Sequence, residues 1–196
     1  MGVKYDCECQ RSQREDMNEK NELYIELTDT EWPNEGIDRD RVAVRAVVTD
    51  GRGTYYFVGL NWDDDSGKPP LIETAGGGVE PGEDLEEALR REMREELGAE
   101  VEILCKLGIV SDYYNVIRCH NITHFYLCLA KGFGERHLTQ VESETLHLKT
   151  LRLSYENALR EYDRCGEDKL GRLLSNRELP VLKRAQEILA EGAERR

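Results

Sequence analysis

The chain has 196 residues, a formal net charge of −13 and 39% hydrophobic residues, enough to bury a substantial core in one domain with elaborations. That charge argues against a duplex DNA or RNA partner, which needs a basic face, but leaves a small phosphate substrate open, since cations bridge acidic sites to phosphate oxygens. Six scattered cysteines, Cys7, Cys9, Cys105, Cys119, Cys128 and Cys165, form no C-x-x-C pair and read as reduced thiols of a cytoplasmic protein, and no apolar run reaches the length of a membrane span.

In chain order, residues 1–20 are polar and charged. Glu22 to Thr28 alternates apolar and polar side chains and predicts a half-exposed strand, broken by Trp32-Pro33-Asn34-Glu35-Gly36. Residues 1–40 therefore form an N-terminal extension with one strand, and residues 41–196 the main domain. Val42 to Thr49 and Thr54 to Asn61, joined by Asp50-Gly51-Arg52-Gly53, predict a hairpin. Asp63 to Pro70 reads as a solvated loop, and Leu71 to Thr74 as a short strand.

The stretch from Gly76 to Gly98 organises the rest. Gly76, Gly77, Gly78 and Gly82 let main chain approach a ligand closely, Pro81-Gly82 turns the chain, and Glu83 or Asp84 caps the helix that follows. At about 100° per residue, Leu85, Ala88, Leu89, Met93 and Leu97 share one apolar arc, while Glu87, Arg90 and Arg94 face water. Glu92 and Glu96 project into the apolar arc, with Glu95 at its margin. Buried carboxylates are rare unless paired or bound to a cation, and three of them within a turn suit a hard divalent ion with oxygen ligands.

Beyond the helix, Glu100 to Val110 predicts a strand with an irregularity at Cys105-Lys106. Ser111 to Asn115 is a polar-aromatic stretch able to wall a pocket, and Asn121 to Ala130 a strongly apolar strand. Lys131 to His137 reads as a loop and Glu144 to Leu151 as a further strand. Ser154 caps a helix reaching Tyr162, and the capping box Ser175-Asn176-Arg177-Glu178 predicts a last helix to about Glu191. His120, His124, His137 and His147 show no ligand spacing. His120 and His124 read as surface or strand-end residues first and phosphate contacts second.

Gly77, Glu83, Arg91-Glu92-Met93, Glu95-Glu96 and Gly98, at their fixed spacings, resemble the Nudix box, with Ala99 where the family usually places a bulkier aliphatic residue. The resemblance implies an α/β (α+β) Nudix fold: a mixed β-sheet sandwiched between α-helices, here with an N-terminal strand extension and C-terminal helices. It also implies that Glu92, Glu95 and Glu96, with the Gly76 carbonyl, bind Mg²⁺ or Mn²⁺, and that Glu83 and Arg91 are structural, the Arg91 guanidinium orienting carboxylates in a bidentate pair. The implied reaction is hydrolysis of the phosphoanhydride in a nucleoside diphosphate linked to another moiety. Some members take the general base from the box helix and others from a downstream loop; Glu142 and Glu144 resemble the second type, with Glu142 preferred.

Leu71 to Gly77 looks like the entry of ADP-ribose and nucleotide-sugar pyrophosphatases, although Ala75 and Gly76 depart from it. It makes Glu73, Gly77 and Tyr114 candidate substrate contacts. The strand at Glu22 to Thr28 resembles the extension through which those enzymes form homodimers. The alternatives are a house-cleaning nucleoside triphosphate pyrophosphohydrolase and a Nudix ligand sensor without turnover; the intact box speaks against the sensor. The expected partner is a small nucleotide-derived substrate, with neither a nucleic acid polymer nor a membrane.

Overall fold

The computed structural model describes residues 22–60 and 70–194. The Cys7-Glu8-Cys9 segment and the loop read from Asp63 onward fall outside these. Eight strands form one mixed sheet: β1 (Leu23–Leu27), β2 (Arg39–Thr49), β3 (Tyr55–Leu60), β4 (Leu71–Glu73), β5 (Ala75–Gly78), β6 (Ala99–Tyr114), β7 (Cys119–Phe133) and β8 (Lys149–Leu153). The path runs β1-β6-β7-β2-β3-β4, with β5 on β2 and β8 on β3. β1 pairs with β6, and β2 with β7, in parallel; the other pairs are antiparallel.

Strand alternation sorts the core into two layers. Val44, Ala46, Val48, Tyr56 and Val58 face α1 (Leu85–Glu92), where they meet Ala88, Leu89 and Met93. Val47, Tyr55, Phe57, Phe125 and Leu127 face the other way. They pack on α2 (Tyr155–Cys165) and α3 (Lys169–Glu194) through Ala158, Tyr162, Val181 and Leu182. The sheet thus lies between helices, as the resemblance implies. Among the described residues no helix is long and apolar enough to cross a membrane.

Four stretches differ from the sequence reading. The polar-aromatic stretch Ser111 to Tyr114 lines the cavity through Asp112 and Tyr114 but also extends β6 beyond the predicted end at Val110, because β1 and β7 satisfy its backbone from both sides up to Asp112 and β7 alone pairs the last two residues. β7 also continues to Phe133, into the expected loop. Glu144 does not begin a strand; Val141–Thr145 forms a single wide helical turn, and β8 starts only at Lys149. Ser175 caps nothing, since α3 begins at Lys169, where the Asp168 carboxylate accepts the N–H groups of Leu170 and Gly171. The Ser175 hydroxyl instead donates to the Tyr162 carbonyl at 2.8 Å and ties α3 to α2.

Glu178, three residues on, is fully enclosed. Its carboxylate accepts the Thr74 N–H at 2.8 Å and the Tyr162 hydroxyl at 3.0 Å, and pairs with Arg177. One side chain therefore fastens α3 to α2 and to the junction between β4 and β5. Truncating a buried, multiply bonded carboxylate strands every donor it satisfied, which costs about 3–5 kcal/mol. Glu178→Ala should lower the urea midpoint of unfolding accordingly, whereas Glu187→Ala, on the exposed side of the same helix, should leave it nearly unchanged.

Candidate active site

The segment from β5 into α1 brings three elements to one edge of a cavity of about 350 Å³. Gly76, Gly77, Glu96 and Glu142 line one side. Asp84 caps α1 by accepting the Glu87 N–H at 2.8 Å. The helix then widens into a π turn over Met93–Leu97 before Gly98 ends it in the left-handed conformation at φ 65°. That widened turn carries Glu95 and Glu96, and Glu92 sits at its junction with α1.

Glu92 and Glu96 are each only 6% exposed. The Glu96 carboxylate accepts the Gly76 N–H at 2.7 Å, and burial pushes its pKa up to about 8, with Glu73 and Glu92 adding to the rise. Burial also raises the Glu92 pKa, helped by the charges of Glu95 and Glu142, although Arg91 opposes the shift. Glu142 thus lies close enough to act on the helix carboxylates, though it comes from the turn before β8, where it accepts the Thr139 N–H at 2.8 Å.

Arg91 is the hub of this edge. Its guanidinium donates to both Glu83 oxygens at 2.9 Å, to Glu92 at 2.8 Å, to Glu95 at 3.1 Å and to the Gly78 carbonyl at 3.0 Å. The hydrogen bonds to Glu83, followed by those to the other glutamates, outweigh desolvation and raise its pKa, so the charge is permanent. Among the described residues no three acidic, imidazole or thiol groups already converge on one point. Arg91 and the Gly76 N–H hold the carboxylates instead.

The donor set nevertheless suits a hard divalent cation. It consists of carboxylate oxygens, two of them desolvated and carrying raised pKa values that an added cation would reverse. The backbone opposite is bare, since a Cβ at Gly77 would stand 2.4 to 2.7 Å from the Glu92 carboxylate.

The rest of the cavity separates charge from apolar surface. Arg45 and Arg177 both pair with Glu73, and Arg45 also donates to the Thr74 carbonyl. These pairings hold the Glu73 pKa down despite its burial. Glu73 thus reaches the cavity wall with its charge already engaged by protein. Arg41, by contrast, lines the cavity with no ion pair or hydrogen bond among the described residues. Tyr114, Ile117, Leu170, Leu173 and Leu174 build the apolar wall.

Tyr114 is backed by Trp32, with ring centroids 5.8 Å apart. Its neighbour Asn115 donates to the Asp29 carboxylate and to the Asp29 and Trp32 carbonyls. Tyr113 turns outward and stacks on His120 at 4.6 Å, while His120 bonds Ser111 and Asp40 on the outer sheet surface. Sequence reasoning placed Asp112 in a pocket wall but missed Arg41, Arg45, Arg177 and Asn121. A charge at Arg45 inside an otherwise apolar alternating strand was the one available signal.

Comparison with known proteins adds the following. A NUDIX domain is matched over residues 39–166, which leaves β1 and α3 outside the match. Nucleoside triphosphatase NudI of Enterobacter sp. (strain 638) is 72% identical over 29 residues, 15% of this chain and 21% of that protein. The protein of the same name from Salmonella agona (strain SL483) is 51% identical over 47 residues, 24% of this chain and 33% of that one. The chain thus spans only about a fifth to a third of the length of these curated relatives. A NUDIX hydrolase from Nitrosomonas europaea superposes with a TM-score of 0.56 at 18% identity, over 79% of this chain and 90% of that one. The solution structure of the E. coli ORF135 protein gives 0.50 at 22% identity, over 78% and 93%. At such identities the likeness is one of fold.

The two box glycines should separate experimentally. Gly76 sits at φ +144°, and a Cβ there would meet the Val44 carbonyl oxygen at 2.1 Å, so backbone has to move. At Gly77 the obstacle is the mobile end of Glu92. Gly76→Ala should therefore destabilise the fold by about 1–3 kcal/mol. Gly77→Ala should melt near the parental temperature yet displace Glu92, which a thermal melt run beside a divalent-metal titration would register.

Proposed function

Since the chain belongs to the NUDIX family, hydrolases of phosphoanhydride bonds that generally use a divalent metal, we propose that it is a Mg²⁺- or Mn²⁺-dependent nucleotide pyrophosphohydrolase whose substrate is a nucleoside triphosphate. The observation that carries the hydrolytic reading is the pair of buried carboxylates on a bulged helix, Glu92 and Glu96, of which Glu96 lines a cavity that also holds an unengaged arginine. For the substrate class, two observations count. The curated relatives carry the name nucleoside triphosphatase. Glu73, the residue that suggested an ADP-ribose-like substrate, is consumed by Arg45 and Arg177.

In this reading Glu92, Glu95 and Glu96, with the Gly76 carbonyl, hold the metal. When bound, the metal neutralises phosphate oxygens and lowers the pKa of the attacking water. The chain's own residues do the rest. Arg91 offsets the mutual repulsion of Glu83, Glu92 and Glu95 and holds them in place. Arg41 meets the phosphate charge that no protein group near it cancels. Glu142 accepts the proton of the water as its oxygen bonds to phosphorus, and the bridging oxygen leaves with its electron pair. The apolar wall of Tyr114, Ile117 and the α3 leucines keeps bulk water from the reacting phosphate.

A product-resolved hydrolysis screen with Mg²⁺ over triphosphates, ADP-ribose and nucleotide sugars tests the reading. Triphosphates should be cleaved to monophosphate, and Glu96→Gln should abolish turnover while leaving the fold intact. AMP from ADP-ribose in preference to any triphosphate product would overturn the substrate class; near-parental turnover by Glu96→Gln would overturn the site. Glu142→Ala should slow turnover by about 10²–10⁴-fold, and an unchanged rate would remove Glu142 as the base.

A further inference from the structure

The far end of the cavity carries polar groups that hydrolysis does not use. Asp112 on β6 lies opposite Asn121 on β7, which in turn lies opposite Arg41 on β2. Cross-strand partners share a face, so these three positions form one row along the cavity, from which the Arg41 guanidinium reaches back toward Gly78 and leaves Asp112 and Asn121 as the polar groups of the far end. The row is four residues along β2 from Arg45, the partner of Gly76, or about 13 Å at the rise of a strand. A nucleotide spans a comparable length from its phosphates to the outer edge of its base.

Asn121 is buried and donates through Nδ2 to Asp112 Oδ2 at 3.1 Å. The other oxygen, Asp112 Oδ1, is shielded from solvent and accepts no hydrogen bond. Asp112 and Leu173 also line a neighbouring space of about 30 Å³. A buried acceptor left unmatched is costly, and a ligand N–H beside it recovers that cost. Tyr114 and Ile117 offer flat apolar surface to the plane of a base.

We infer that this end is a nucleobase subsite in which Asp112 Oδ1 accepts a hydrogen bond from an exocyclic amino group, selecting amino-bearing bases over uracil and thymine. The inference rests on reading the cavity as a nucleotide site. Cytosine and uracil decide it, because they differ in exchanging an amino group for a carbonyl. A uracil oxygen facing the carboxylate gains no hydrogen bond and is repelled.

The test compares kcat/KM for CTP and UTP in the parental chain and in Asp112→Asn, with equilibrium binding of CMP and UMP measured by calorimetry on both proteins. CTP should lead UTP by about 10- to 100-fold, the range of one hydrogen bond to a charged group. Asp112→Asn, whose amide can donate to a carbonyl, should collapse or invert that ratio. Equal parental use of CTP and UTP overturns the inference, as does a variant that slows both equally. Should no triphosphate be turned over, the hydrolytic proposal fails and binding decides this one. CMP binding tighter than UMP, with the preference lost in Asp112→Asn, upholds the subsite; equal binding or none overturns it.

Discussion

Four charged side chains, Arg45, Glu73, Arg177 and Glu178, lie together beneath the cavity, and their mutual neutralisation is the condition on which the site exists. Burial opposes the charges of Glu73 and Arg177, but the pairings of Glu73 with both arginines and of Glu178 with Arg177 outweigh it, holding the Glu73 pKa down and the Arg177 pKa up. The network joins β2, β4 and α3. The same Glu178 holds the Thr74 N–H just before the glycine run, so the backbone that must approach Glu92 and Glu96 is fixed from behind. It also disposes of two positive charges and leaves Arg41 unspent.

Polarity is thereby divided within one cavity. Acid gathers where β5 meets the box helix, cation at Arg41, and apolar surface along α3 and Tyr114. The division follows from topology: β2 pairs with β5 on one side and with β7 on the other, so a single strand contacts both the glycine run and the floor of the far end. The family match ends at residue 166, before α3 begins. The segment that builds the acidic edge therefore lies inside the matched domain, whereas Leu170, Leu173 and Leu174 of the apolar wall lie beyond it.

The box helix was legible because its carboxylates break an apolar pattern: Glu92 and Glu96 occupy positions that amphipathicity reserves for the core, and the structure buries them there. The widened turn that displays Glu95 and Glu96 leaves no mark in that pattern. Ser175 misled because a capping box is a local signal, whereas Glu178 is committed to Thr74, between β4 and β5, and to Tyr162 on α2. The same limit hid the strand character of Ser111 to Tyr114, which rests on β1 and β7 and not on propensity. Arg45 breaks an apolar strand, but its partners, Glu73 and the Thr74 carbonyl, became evident only once β4 had been brought to it.

The turn before β2 reaches the cavity through aromatic contact. The Asp29 carboxylate holds the Glu31, Trp32 and Asn115 amides, and this fixes the Trp32 ring behind Tyr114 with the Lys169 ammonium over its other surroundings, 5.6 Å from the ring centroid. The chain has two tryptophans, Trp32 and Trp62. An indole placed one ring away from the cavity, beside a cation, has an emission that follows its electrostatic surroundings. The fold thus supplies its own optical readout of whatever comes to rest against Tyr114, without an attached dye.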